Sequence, residues 1–231
     1  MLGKEHPVIV TLAVGLMATA LTPPPAAPAE AAAPARPLTL LVRVDRRAAD
    51  RLVRLPEMMR EMQAIWKPYA DLVFADTTDA AEHGFDDELR LVVSGRPPSG
   101  GASHAALGWI TFPKPETPDN VVTVSVAAAH SLMARAQWSG RPFDQLPPSV
   151  RQQFITRALG RSAAHEIGHY LLRSSAHAEG GLMRRALTIA QIMDDRLDWF
   201  RLGGPEVDRL QRRGAVDALL ADADPQAPRS E

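Results

Sequence analysis

Three of the chain's seven histidines, His165, His169 and His177, fall within thirteen positions, with Glu166 beside the first. The run His165-Glu166-Ile167-Gly168-His169 reads H-E-x-x-H. On a helix, residues four apart share one face, with Cβ atoms about 5–6 Å apart. That spacing places His165 and His169 to share one Zn²⁺. Glu166, one step round the helix, stands beside the open coordination position, where it can accept a proton from water. A catalytic zinc site typically has three protein ligands and a water. His177, eight residues after His169, is the nearest downstream imidazole that could complete the set. Glu179 competes for that place, because two histidines and a glutamate also form such sites. The bland alternative is a solvated helix face with no metal, since H-E-x-x-H has two free positions and arises by chance.

Positioning such a group needs a packed domain, and 231 residues suffice for one with a real core. The 26 basic and 27 acidic residues leave a net charge of −1. No basic block tracks along the chain, so nucleic acid is not an expected partner. Cysteine is absent, which excludes disulfides, thiolate zinc sites and a cysteine nucleophile.

Residues 1–37 read as a signal peptide and linker. The apolar stretch Pro7–Leu21 follows Lys4 and precedes small residues, which predicts a secreted or periplasmic protein. A membrane contact is expected only if that segment is not cleaved. Thr22–Pro37 is rich in Pro and Ala and reads as a linker. The domain is expected over 38–213, with a disordered Ala/Asp/Pro-rich tail over 214–231. Within it, strands are expected at Leu38–Val44, Asp71–Ala75, Glu88–Ser94, Leu107–Phe112 and Val121–Val126. Helical spacing runs from Pro56 to Pro68 and from Ala128 to Gln137. A long helix should open at Pro147-Pro148-Ser149, with Ser149 and Gln152 as a capping box, and carry through Glu166 and His169 to about Leu172. Gly160 is a possible weak point in it. Leu187–Asp194 and Pro205–Arg212 read as further helices.

Taken with this order of elements, three local features resemble the metzincin clan of zinc metalloproteases over roughly Leu38–Leu202. The first is H-E-x-x-H followed by His177. The second is Gly181-Leu182-Met183, which is similar to the Met-turn that sets a methionine, here Met183, beneath the metal. The third is Leu107–Phe112, placed where metzincins have an antiparallel edge strand. The clan's pattern is H-E-x-x-H-x-x-G-x-x-H. Here Leu172 stands at the glycine position, Ser175 at that of the third histidine, and His177 two residues later. The chain from Leu172 to His177 must turn back without a glycine. The resemblance implies an α+β, zincin-like fold: a twisted mixed sheet of four to five strands with an antiparallel edge strand, packed on helices that include a long zinc-binding one.

The function expected on these grounds is zinc-dependent hydrolysis of peptide bonds. His165, His169 and His177 would be the ligands and Glu166 the general base. An extended protein or peptide substrate would pair with Gly108, Trp109, Ile110 and Thr111, since main-chain pairing suits any peptide sequence. The rivals are a non-catalytic zinc- or peptide-binding module and a zinc amidase acting on cell-wall peptide. His83, His104 and His130 each stand alone and are not expected ligands. Tyr170 and the pair Trp199 and Phe200 read as packing residues. One of Asp194, Asp195 and Asp198 could hold a ligand histidine from behind.

Overall fold

A computed structural model describes residues 8–11, 38–45, 53–77, 85, 87–96 and 106–223, with side chains for all of these but 8–11 and 215–223. The rest of the predicted leader, the Pro/Ala linker, His83, His104, most of the Pro/Gly loop after Arg96 and the tail beyond Ala223 lie outside the described residues.

The elements in chain order are β1 (Val8–Thr11), β2 (Leu38–Asp45), α1 (Leu55–Trp66), β3 (Ala70–Asp76), β4 (Asp87–Ser94), β5 (Gly108–Phe112) and β6 (Val121–Ser125). They continue with α2 (Val126–Met133), the two-residue strands β7 (Gln137–Trp138) and β8 (Arg141–Pro142), α3 (Pro148–Leu172), α4 (Ile189–Met193) and α5 (Gly204–Ala223). The main sheet has the order β1-β5-β6-β4-β2-β3. β2, β3, β4 and β6 run parallel to one another, while β5 is antiparallel to β6 and β1 antiparallel to β5. The fold is therefore mixed α/β. It has one more strand than expected, because Val8–Thr11 adds itself outside β5. The antiparallel strand foreseen as the edge is thus covered on both sides.

β2 is buried along nearly its whole length, as a central parallel strand rich in Leu and Val must be. α1 buries Met58, Met62, Ile65 and Trp66, four apolar residues at helical spacing. α3 is buried on almost every side from Phe154 to Leu172. Gly160, foreseen as a weak point, is where α1 crosses it. A Cβ there would lie 3.1 Å from Glu61 Cβ and 3.2 Å from the Met58 carbonyl oxygen. Trp66 Nε1 donates to the Ala164 carbonyl at 3.0 Å and pins the end of α1 to the middle of α3.

The capping box foreseen at Ser149 and Gln152 does not form. α3 starts two residues earlier, with Pro147 in place of Ser149 as its cap and no side-chain capping bond. Ser149 is already inside the helix, and Gln152 accepts instead from Arg54 Nε at 2.8 Å. A capping box does form at α4, between Thr188 and Gln191. α5 continues to Ala223, past the Gly214 boundary where a disordered tail was expected. The stretch Ala215–Ala223 is mostly Ala, Leu and Asp without Gly or Pro, and Ala and Leu are strong helix formers.

Candidate metal centre

Ser162, His165, Glu166 and His169 recur at helical spacing on α3, and all four are fully buried. A polar stripe removed from water must be satisfied by partners. The partners of the histidines are backbone carbonyls. His165 Nδ1 lies 2.7 Å from the Leu182 oxygen, and His169 Nδ1 lies 2.6 Å from the Ser174 oxygen. A carbonyl only accepts, so both Nδ1 atoms carry the proton and both Nε2 atoms present a lone pair.

Those two Nε2 atoms face each other at 3.0 Å. Two lone pairs at that distance call for a cation between them. Burial holds His165 down to about 4, and burial together with the neighbouring His165 holds His169 well below the usual imidazole range. Near neutral pH a proton does not supply that cation, so the arrangement suits a metal ion. His177 joins the pair. Its ring stacks on His165 at 5.3 Å between centroids and stands edge-on to His169 at 4.9 Å. Its Nε2 is buried without a hydrogen-bond partner among the described residues. One ligand atom from each of the three rings lies within 4.8 Å of the others. Together they form a three-histidine group that could bind zinc. Glu179 is exposed and outside the group.

The turn that brings His177 back works without glycine. Arg173 ends α3 in the left-handed conformation, at φ 47° and ψ 47°. Such a residue costs on the order of 1 kcal/mol, and α5 helps to hold it. Arg209 donates to the Arg173 carbonyl at 3.2 Å, and Arg213 to the Leu171 carbonyl at 2.8 Å. Arginines at this end also oppose the helix dipole. The αL turn sends the Ser174 carbonyl back onto His169. One distortion thus both reverses the chain and fixes the tautomer of His169.

A second turn supports His165 from the other side. Gly181 has φ 69°, and a Cβ on it would stand 2.1 Å from the Arg201 carbonyl oxygen, so only glycine fits. Leu182 N–H donates to that oxygen at 2.9 Å, while the Leu182 carbonyl receives His165. Met183 is buried and packs against α3 at Gly168, where a Cβ would meet its Sδ at 2.3 Å.

β5 lies beside this group. Gly108 allows the approach, for a Cβ there would come 2.5 Å from Ser162 Oγ and 3.1 Å from Glu166 Cγ. Phe112 stands edge-on to His169 at 6.5 Å. Of the four residues expected to bind substrate, Gly108 and Ile110 are buried toward the core, and Trp109 and Thr111 are half-buried. Thr111 Oγ1 donates to Asp119 at 3.2 Å. These strand residues offer a backbone edge more than side chains, and β1 now lies along it.

Other residues singled out from the sequence fall outside the group. Tyr170 donates its hydroxyl to Asp87 and packs as expected. Phe200 is buried and Trp199 is partly packed on the core. Asp194 pairs with Arg196 at 2.7 Å and accepts from Trp199 Nε1, so it does not hold a ligand histidine. His130 sits on α2, away from the three rings.

Archaemetzincin from Methanopyrus kandleri is a structural neighbour. It shares 14% identity, with a TM-score of 0.44 over 78% of this chain and 96% of that one. No family model matches the sequence, and no curated protein does. At that distance the neighbour carries no weight for function, and the reading below rests on the geometry of the three histidines and Glu166.

Sequence reasoning missed the carbonyls of Leu182 and Ser174, because any residue type offers a carbonyl. It also missed Ser162, whose hydroxyl is buried without a hydrogen-bond partner among the described residues. The signal was present: Ser162 lies three and four residues before His165 and Glu166, on the same helix face.

Proposed function

We propose that the chain is a zinc-dependent peptidase, with His165, His169 and His177 as the metal ligands and Glu166 as the general base. One observation carries this. Three imidazoles converge, two of them fixed by Nδ1–H bonds to carbonyls with Nε2 turned inward, and a buried glutamate sits next to the first. A site built only to hold metal has no use for that carboxylate and tends to have four protein ligands. When bound, zinc would supply Lewis acidity, lowering the pKa of water and polarising a carbonyl.

The chain's own residues do the rest. The Leu182 and Ser174 carbonyls fix the tautomer and orientation of the two ligand rings, while burial keeps those rings neutral and ready to donate electron pairs. Glu166 takes a proton from the attacking water as oxygen bonds to the peptide carbonyl carbon. It then hands that proton to the amine as the C–N bond breaks. The buried setting of Glu166, against Gly108 of β5, keeps competing water away. The substrate lies extended along β5 through main-chain hydrogen bonds. The test is a peptide-library cleavage assay on zinc-loaded protein, repeated with Glu166→Gln. That change keeps shape while removing the base, and loss of a general base costs about 10²–10⁴-fold in rate. A mutant as fast as the parent would sink the mechanism. Zinc bound with no peptide cut would favour the binding-module rival.

A further inference from the structure

β5 follows the polar stripe of α3 from end to end, with Gly108 against Ser162 and Glu166 and Phe112 against His169. One side of β5 pairs with β6. The other side, where an extended peptide would lie, is taken by β1. The pairing is antiparallel, with Val8 opposite Phe112, Ile9 opposite Thr111, Val10 opposite Ile110 and Thr11 opposite Trp109. The partner is therefore a segment of this same chain, joined to the domain through residues 12–37.

We propose that the outer side of β5 is a strand-addition site for extended apolar peptides, and that Val8–Thr11 occupies it in cis and closes the groove of the intact chain. The proposal rests on the peptidase reading only for what is kept out. Main-chain pairing accepts many sequences, so a Val-Ile-Val-Thr segment and a foreign peptide compete for the same amides and carbonyls. The cis segment has the advantage, since tethered competitors act at effective concentrations up to the order of millimolar. Processing of the N-terminal stretch as a leader, the expectation from its sequence, would vacate the site.

The experiment measures binding of a fluorescent peptide. The probe carries the sequence Pro7–Val14 with added lysines for solubility, and lacks His6 so that it cannot chelate metal through an imidazole. The full chain carries Glu166→Gln throughout so that the probe is not consumed. In an antiparallel ladder alternate residues exchange hydrogen bonds with the neighbour strand. One of Ile9 and Val10 must therefore bond β5, and Ile9→Pro with Val10→Pro removes that donor whichever it is. The double variant is expected to bind the probe at least about tenfold more tightly than its parent, as removing a tethered competitor should. Equal affinity, or no binding by either, overturns the proposal.

A second measurement does not depend on prolines. The chain has no cysteine, so Ile9→Cys with Thr111→Cys gives a single possible disulfide between cross-strand partners. Oxidation should close that bond and abolish probe binding, and reduction should restore it. Failure of the bond to form, or unchanged binding once it has formed, overturns the proposal. Neither readout is cleavage. The expected binding pattern, together with no peptide cleavage by the zinc-loaded Ile9→Pro, Val10→Pro chain that keeps Glu166, would sink the peptidase reading and leave the occlusion standing.

Discussion

Arg161 and His165 sit one turn apart on α3, and both are fully buried. The chain satisfies them in opposite ways. Arg161 pairs with Glu61 at 2.6 Å, donates to the Gln191 and Ile192 carbonyls, and lies 4.5 Å over the Phe200 ring. Only its Nη2 lacks a partner among the described residues. His165 and His169 are held from behind by carbonyls, while their inner nitrogens face each other. A buried polar group serving the fold finds its partners within the chain. One that serves the proposed chemistry is anchored on one side and left open on the other. The same helix carries both, and the difference lies in what each side chain faces.

The largest break in this comparison is on the structural side. Arg161→Met should destabilise the protein by about 3 kcal/mol, because it strips a partly buried carboxylate of its partner. The low end of the usual range applies, since Glu61 keeps 20% of its side-chain exposure. Urea denaturation of the metal-free protein measures this. A loss under 1 kcal/mol would mean that Arg161 is no anchor.

The histidine side should behave in reverse. His177 is half-buried, and its Nε2 has no hydrogen-bond partner among the described residues. His177→Ala should therefore change the metal-free stability little. It should abolish most of the stabilisation that added zinc gives the parent, which is about 2.7 kcal/mol at a hundredfold excess over Kd. Thermal melts with and without zinc separate the two effects. An equal zinc-induced shift in both proteins would remove His177 from the ligand set.

The smallest effect sharpens the account of the turn. Arg173→Gly should stabilise the protein by up to about 1 kcal/mol, because glycine takes the left-handed conformation without a Cβ clash. Zinc affinity should be unchanged, since the Ser174 carbonyl still reaches His169. A loss of stability would show that the Arg173 side chain contributes more than its conformation costs.

The sequence made the histidine pair and its helix legible, because the i, i+4 spacing of His165 and His169 is a local property of one element. The strands of the sheet were legible too, from runs such as Leu38–Val44 with branched apolar residues. What fixes the site was not. The Leu182 and Ser174 carbonyls carry no residue-type signature, and the Arg173 turn uses a residue that rarely adopts its conformation. The stacking of Gly108 on Ser162 and of Gly168 on Met183 depends on which elements meet, and spacing within one element does not contain that. Val8–Thr11 shows the same limit. Its run of branched apolar residues suits a leader and a strand equally, and only the open side of β5 distinguishes them.

The most direct test is the zinc content of purified full-length protein, measured by elemental analysis beside His165→Ala and His169→Ala. The expected result is one zinc per folded parent chain and a loss of bound zinc in both variants, with circular dichroism showing all three folded. Folded parent protein that takes up no zinc, or variants that keep it unchanged, would contradict the metal centre and the hydrolytic chemistry built on it.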